Sequence, residues 1–239
     1  MIYNGIDATR FVPGARTDKT VRVLFSGNLS MRKGAHLLPD IALHLAPNVE
    51  LLYTRGLRRG GLSIYPKVKR DLGHWLAEDR TAYLTTMFDL YRLPADFPGF
   101  VEARRLADPY QKVRYIEATL AEDIADPRFI PHVQLHEFEG LLFSEVGQID
   151  AVLHTLGAPS RIKDLAKIRA GFDSPEEIND GEDTAPSKRI VTFYPSYDKV
   201  VLGSLIAEQI GLAKMRAECR HFDAWMATLE NLTPLEEAP

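Results

Sequence analysis

Carboxylates follow two apolar segments near the middle of the chain. Residues 81–88 lead into Asp89, and residues 129–135 are followed closely by Glu137 and Glu139. Acidic side chains at the carboxyl ends of neighbouring strands in an open α/β sheet converge where ligands and metal ions bind. Because Mg²⁺ and Mn²⁺ prefer oxygen ligands, this pattern predicts a metal site with Asp89, Glu137 and Glu139 as its ligands.

The spacing of Glu137 and Glu139 leaves their relative direction open. On a strand both side chains project to the same face, whereas on a helix they diverge by roughly 200°. Residues 138–143 have a helical composition, so we expect one glutamate to line the site, with Glu137 preferred and Glu139 as an outer or alternate ligand. The alternative for both is an acidic, solvated helix start. Asp89 has a similar alternative, as a turn or helix-cap residue.

Three further side chains are candidates for catalytic roles. His136 stands beside the acidic pair, where a neutral imidazole orients a carboxylate or passes a proton. The alternative is a packed histidine that donates one hydrogen bond, and Gly140 excludes a His-Glu-x-x-His zinc motif. Lys188 and Arg189 follow Pro-Ser and form a candidate phosphate clamp. The alternative for this basic pair is a solvated surface.

Composition limits the class of protein. The chain has 239 residues, of which 45% are hydrophobic and 26% are charged, as in an ordinary globular protein. A net charge of -4 gives no support to bulk electrostatic capture of nucleic acid. One cysteine, Cys219, excludes an internal disulfide and fits a reducing compartment. No long apolar run or signal-peptide pattern is present, so we expect a cytoplasmic protein without a membrane partner.

Apolar runs predict the strands that position these residues, and apolar residues at helical spacing predict the helices. Strands are expected at residues 21–25, 49–53, 81–88 and 129–135, and helices at 35–46, 65–78, 109–124, 198–210 and 221–230. The predicted fold class is α/β, with an open sheet flanked by helices and a helical C-terminal subdomain. The predicted divisions are an N-terminal β-α-β segment (1–57), an α/β core (60–145), a helical subdomain (146–232) and a frayed tail (233–239).

Most of the chain, from about residue 60 to residue 232, resembles an uncharacterised bacterial family called domain of unknown function 4276. The motifs that carry the resemblance include Thr85-Thr86-Met87-Phe88-Asp89-x-Tyr91-x-Leu93-Pro94, Gln134-Leu135-His136-Glu137-Phe138-Glu139 and Thr184-Ala185-Pro186-Ser187-Lys188-Arg189. Members of that family look like divergent Toprim domains and often accompany an ATPase. The resemblance implies an open Toprim-like sheet and a metal-dependent centre that cleaves nucleic-acid phosphodiesters, with Asp89 and Glu137 or Glu139 as Mg²⁺ or Mn²⁺ ligands.

The first 57 residues resemble a different protein. Tyr3-Asn4-Gly5-Ile6-Asp7 and Leu24-Phe25-Ser26-Gly27-x-Leu29-x-x-x-Lys33-Gly34 are similar to a fragment of a GT-B-fold, family-four-type glycosyltransferase. The glutamate that Toprim-like sites place after their first strand has no counterpart, since residues 26–34 contain no carboxylate. We therefore expect a chimera joined at about residues 55–60, in which the β-α-β segment completes the sheet but leaves the metal site one acid short.

These resemblances define three functional hypotheses. The first is a Mg²⁺-dependent nuclease of a bacterial defence or DNA-processing system, with weak or absent activity because the first acid is missing. The second is a non-catalytic partner of an ATPase, in which the acids are structural. The third is a glycosyltransferase fragment that binds a nucleotide sugar near Gly27 and Lys33, where a glycine turn and a helix N-terminus would face the diphosphate.

Overall fold

Five short parallel strands form one sheet in the computed structural model, which describes residues 21–27, 49–53, 64–179, 184–199 and 201–235. The strands are β1 (Val21–Gly27), β2 (Val49–Tyr53), β3 (Ala82–Asp89), β4 (Phe129–Ile130) and β5 (Val133–Gln134). Their order is β2-β1-β3-β4, and β5 also pairs with β3. The predicted α/β class is therefore confirmed, while the helix expected at 35–46 lies outside the described residues.

Helices flank the sheet and form the C-terminal part of the described chain. They are α1 (Tyr65–Glu78), α2 (Phe100–Ala103), α3 (Pro109–Ile124), α4 (Val146–Thr155), α5 (Ile162–Arg169), α6 (Pro186–Phe193), α7 (Leu202–Ile210), α8 (Leu212–Glu218) and α9 (Arg220–Glu230). Leu90–Arg92, Phe138–Glu145 and Pro175–Glu177 are 3₁₀ helices. The predicted helices at 65–78 and 109–124 are confirmed to the residue, and the last helix begins at Arg220.

Local sequence signals explain the two helices that cover the first face of the sheet. In α1, Val68, Leu72 and Leu76 recur at helical spacing and are buried. Helix α3 begins with a proline after Asp108, whose side chain accepts a hydrogen bond from the backbone N–H of Tyr110 at 2.9 Å. It ends at Ala125, which adopts a left-handed conformation (φ 55°).

The strand expected at residues 129–135 is interrupted at Pro131, so the prediction of one continuous strand is wrong. Proline has no N–H to donate to a ladder. The N–H of His132 donates instead to the hydroxyl of Thr86 at 3.1 Å, and the carbonyl of His132 accepts from the N–H of Phe88 at 3.2 Å. The register with β3 is the same on both sides of the break, since Leu84 is opposite Phe129 and Phe88 is opposite Val133.

The two faces of the sheet carry separate hydrophobic clusters. Leu24 and Phe88 pack with α1 and α3 on one face. Val23 and Phe25 belong to the cluster on the other face, together with residues of the 3₁₀ helix Phe138–Glu145 and of helices α4 to α9. Successive strand residues point to opposite faces, so β1 contributes to both clusters. The C-terminal helices thus share a core with the sheet, and the division at residue 145 stays a prediction.

Trp225 of α9 links the C-terminal helices to the strands. Its indole N–H donates to the hydroxyl of Thr85 at 2.9 Å, and that hydroxyl donates to the carbonyl of Ile130 at 2.7 Å. The indole also contacts Phe25, with ring centroids 6.4 Å apart. Within the described ranges, no helix is long and apolar enough to span a bilayer.

Strand β1 lies between β2 and β3 in the sheet, so a charge at Val23 should disrupt the fold. Val23 has no exposed surface, and an unpaired carboxylate there should lower the free energy of unfolding by more than about 4 kcal/mol. We expect Val23→Asp to abolish the cooperative thermal transition measured by circular dichroism. The matched control is Val101→Asp, at a valine of α2 that is 54% exposed. Similar melting curves for both variants would contradict the placement of β1.

Candidate functional site

The carboxyl ends of β3 and β5 are held together by the backbone. Asp89 is the last residue of β3, and its Oδ1 accepts a hydrogen bond from the N–H of Phe138 at 3.1 Å. His136 turns the chain after β5 in a left-handed conformation (φ 59°), and its carbonyl accepts from the N–H of Tyr91 at 3.2 Å. Such a backbone is uncommon outside glycine and is typical of a constrained turn. These contacts bring Asp89 close to the acidic pair.

Glu137 and Glu139 reach the same cation. The ammonium of Lys199 lies 3.0 Å from Oε1 of Glu139 and 3.5 Å from Oε1 of Glu137, and both glutamates are buried. The two side chains therefore do not diverge as they would on a regular helix. Glu137 is in an extended conformation (φ −140°, ψ 154°) as the N-cap of the 3₁₀ helix, so helical spacing does not relate it to Glu139.

The start of α6 also contacts the acids. The backbone N–H of Ser187 donates to Oε2 of Glu137 at 3.2 Å. Ser187 is in the first turn of the helix, where backbone N–H groups have no intrahelical partner and the helix dipole favours a negative charge. The motif that contains Lys188 and Arg189 therefore contributes a backbone donor to this site.

Lys188 and Arg189, the predicted phosphate clamp, lie in α6, and the clamp stays a prediction. Lys188 is exposed on α6. The Nε of Arg189 donates to the carbonyl of Thr184 at 2.6 Å, and its guanidinium lies over the ring of Phe172 at 5.7 Å. Lys199 is the cation that contacts the glutamates, and the sequence analysis missed it. No motif indicated it, since it lies 62 positions from Glu137.

Burial and neighbouring charges strongly perturb Glu139. Desolvation raises its pKa to about 7, assisted by the negative charges of Glu137 and Asp89, although the charge of Lys199 acts in the opposite direction. The nearby hydroxyl of Tyr197 is buried and has no hydrogen-bond partner among the described residues. Desolvation and the charges of the two glutamates raise its pKa as well. A buried, perturbed acid next to other acids is typical of a functional site.

The comparison with known proteins gives a family for this chain. One family model matches residues 35–230, and its description is domain of unknown function (DUF4276). The chain belongs to this family. No curated protein and no solved structure matches it. The match contains Asp89, Glu137, Glu139 and Lys199, and it also contains the predicted join at residues 55–60. The Toprim-like and glycosyltransferase resemblances, and the join itself, stay predictions.

In this DUF4276 chain His136 is a neutral histidine. Burial, together with the charge of Lys112, lowers its pKa to about 4, and the charge of Glu137 opposes this shift only in part. The side-chain amide of Asn179 donates to its Nδ1 at 3.2 Å, which leaves the ring proton on Nε2. The ring is therefore fixed in one tautomer beside the acids, as expected for an orienting group and equally for a packed histidine.

Glu117, His132 and His221 form a second cluster. Among the described residues, they are the one group of three such side chains whose potential ligand atoms all lie within 4.8 Å of one another. The two imidazoles are stacked, with centroids 4.8 Å apart and planes 22° apart, and His132 also stacks on Trp225. An imidazole binds a metal ion that lies close to the plane of its ring. The planes of these two stacked rings are nearly parallel and do not intersect close to the rings, so one ion cannot lie in both planes.

This second cluster is better described as a buried hydrogen-bond network. Oε1 of Glu117 accepts from the N–H of Val133 at 2.7 Å and lies 3.0 Å from Nε2 of His221. Burial opposes a charge on His221, but the hydrogen bond and charge of Glu117 outweigh it, so the pKa is raised. Burial and the charge of His221 lower the pKa of His132 well below its usual value. The network joins α3, the strand break and α9.

The raised pKa of Glu139 predicts a pH-dependent effect on stability. Because its pKa rises from 4.5 to about 7 on folding, ionisation of Glu139 destabilises the folded chain increasingly as pH rises through this window. With metal ions chelated, Glu139→Gln should raise the free energy of unfolding by about 2 kcal/mol near pH 8. Near pH 4.5 the free energies of unfolding of the variant and the wild type should be almost the same. Urea unfolding at both pH values measures it.

Glu208→Gln is the matched control for this measurement. Glu208 is exposed on α7, so its substitution should change stability little at either pH. A loss of stability in Glu139→Gln near pH 8 would show that the Lys199 ion pair outweighs the desolvation of Glu139.

Proposed function

We propose that this chain is a divalent-metal-dependent phosphodiesterase that acts on nucleic acid. The observation that carries the proposal is the burial of Glu137 and Glu139 beside Asp89, with one ammonium shared between the two glutamates. Burial of carboxylates without full compensation costs several kcal/mol. A sequence that only needed a stable core would fill this position with apolar side chains.

The chemistry of these side chains fits Mg²⁺ or Mn²⁺. Asp89, Glu137 and Glu139 offer oxygen ligands, which hard cations prefer, and cysteine is absent from the group. The hydroxyl of Tyr197, which has no hydrogen-bond partner among the described residues, adds a further oxygen nearby. When bound, such an ion lowers the pKa of a water molecule and neutralises charge on a transferring phosphate.

The protein's own residues would set the positions of the acids. The N–H of Ser187 fixes Oε2 of Glu137, and the N–H of Phe138 fixes Oδ1 of Asp89. Without a metal ion the pKa of Glu139 is about 7, so binding of a divalent ion near neutral pH would release a proton from this carboxyl. The neutral imidazole of His136, the residue before Glu137, would be a second group beside the acids that can carry a proton.

Glu139 changes the expectation that the site has two acids. Residues 26–34 contain no carboxylate, so the acid that Toprim-like sites place after the first strand is still missing. Glu139 is the third acid of this site in our proposal, since it shares Lys199 with Glu137. Because the acid after the first strand is missing, we propose that metal-dependent cleavage is slow. The family resemblance is the reason to place this activity in a bacterial defence or DNA-processing system.

A second candidate function is that of a protein partner for an ATPase. Val201 and Leu205 are exposed apolar residues four positions apart at the start of α7, with 59% and 40% of their surfaces accessible. Residues at this spacing share one face of a helix. This face lies just after Lys199, so a partner bound there would be next to the acids.

A plasmid-nicking assay tests the metal-dependent function. We expect Mg²⁺- or Mn²⁺-dependent nicking, inhibited by a chelator, and at least about 100-fold slower in Asp89→Asn and in Glu137→Gln, because loss of even an outer partner of a metal ligand costs 10–100-fold. Glu122→Gln, at an exposed residue of α3, is the control and should nick at the wild-type rate. Cleavage that persists in both acid variants would refute the proposed site and favour the partner function.

A further inference from the structure

We propose that Lys199 occupies the cation position between Glu137 and Glu139 when no metal is bound, and that a divalent ion binds there by displacing its ammonium. The inference rests on the proposed metal site and adds a regulatory step to it. Metal binding would be an exchange of one cation for another, in which Lys199 must leave before the glutamates can act as ligands.

The geometry of the ion pairs supports an exchange. One nitrogen lies within 3.5 Å of an oxygen from each glutamate, so these oxygens already converge on a single cation. Mg²⁺ binds oxygens at about 2.0–2.1 Å, which is shorter than either contact. The ammonium and the ion cannot occupy the same place.

Charge favours the divalent ion in this exchange. Among the described residues, Lys199 is the one cation that contacts Glu137 or Glu139. When all three are ionised, Asp89, Glu137 and Glu139 leave a net charge of −2 with one ammonium and −1 with a divalent ion. Uncompensated charge costs most where water is excluded.

Lys199 has a route by which it can leave. Its side chain is 35% exposed, whereas those of Glu137 and Glu139 are 6% and 4% exposed. A lysine carries its charge on a flexible four-carbon stem and can turn towards water without backbone movement. The carboxylates are fixed by their burial and, for Glu137, by the N–H of Ser187. The lysine is therefore the mobile member of the group.

Titration calorimetry with MnCl₂ on the full chain tests the exchange. The apparent affinity for an ion is reduced by the fraction of molecules in which its site is accessible, so Lys199→Met should bind Mn²⁺ about tenfold more tightly than the wild type. Methionine keeps an apolar stem but removes the charge. Lys163→Met, at an exposed lysine of α5, is the control and should bind as the wild type does.

The outcomes separate this inference from the function on which it rests. Tight binding by the wild type that Lys199→Met leaves unchanged or weakens would overturn the exchange alone. No binding by any variant would overturn the metal site and the exchange together.

A second measurement needs no variant, in case Lys199→Met fails to fold. Limited acetylation of the wild-type chain, followed by mass spectrometry, reports the accessibility of each lysine. Saturation with Mn²⁺ should raise the acetylation rate of Lys199 several-fold and leave that of Lys163 unchanged. Equal or slower acetylation of Lys199 with Mn²⁺ would overturn the displacement.

Discussion

The register between β3 and the interrupted strand beside it is the constraint on which the site depends. Pro131 cannot donate to the ladder, yet Thr86 supplies a hydroxyl at the break and the pairing resumes in the same register. As a result Gln134 lies opposite Asp89, and the turn at His136 follows at once. A shift of one residue would point the side chains of β5 to the opposite face. It would also move Glu137 and Glu139 away from the end of β3.

The acids are stabilised by groups from distant parts of the chain. Glu137 receives one hydrogen bond from the first turn of α6 and shares Lys199, just before α7, with Glu139. Both helices belong to the cluster that packs on β1. The C-terminal helices therefore have two roles, since they cover one face of the sheet and complete the electrostatic environment of the acids. This explains how the site depends on a core formed by both parts of the chain.

The two clusters of titratable groups illustrate different uses of burial. At Glu117 and His221, an acid and a base are paired directly, and stacked rings fill the space around them. At Glu137 and Glu139, two acids share one ammonium, and a tyrosine hydroxyl nearby has no described partner. The first arrangement satisfies its charges and holds α9 against the strands. The second shares one ammonium between two carboxylates, and this is why we propose it as the place where a divalent ion binds.

The sequence by itself determined the fold class and the approximate positions of most strands and helices that the structure describes. Apolar spacing located α1 and α3, and the order of apolar segments and acids located Asp89 and Glu137 at the carboxyl ends of strands. Tertiary structure decided the direction of Glu139, the break at Pro131 and the contacts of Lys199 and Ser187. The physical reason is distance along the chain: Ser187 and Lys199 lie 50 and 62 positions from Glu137. Local propensity and spacing describe neighbours within a helix or strand, whereas a partner brought in by packing leaves no periodic signal in one sequence.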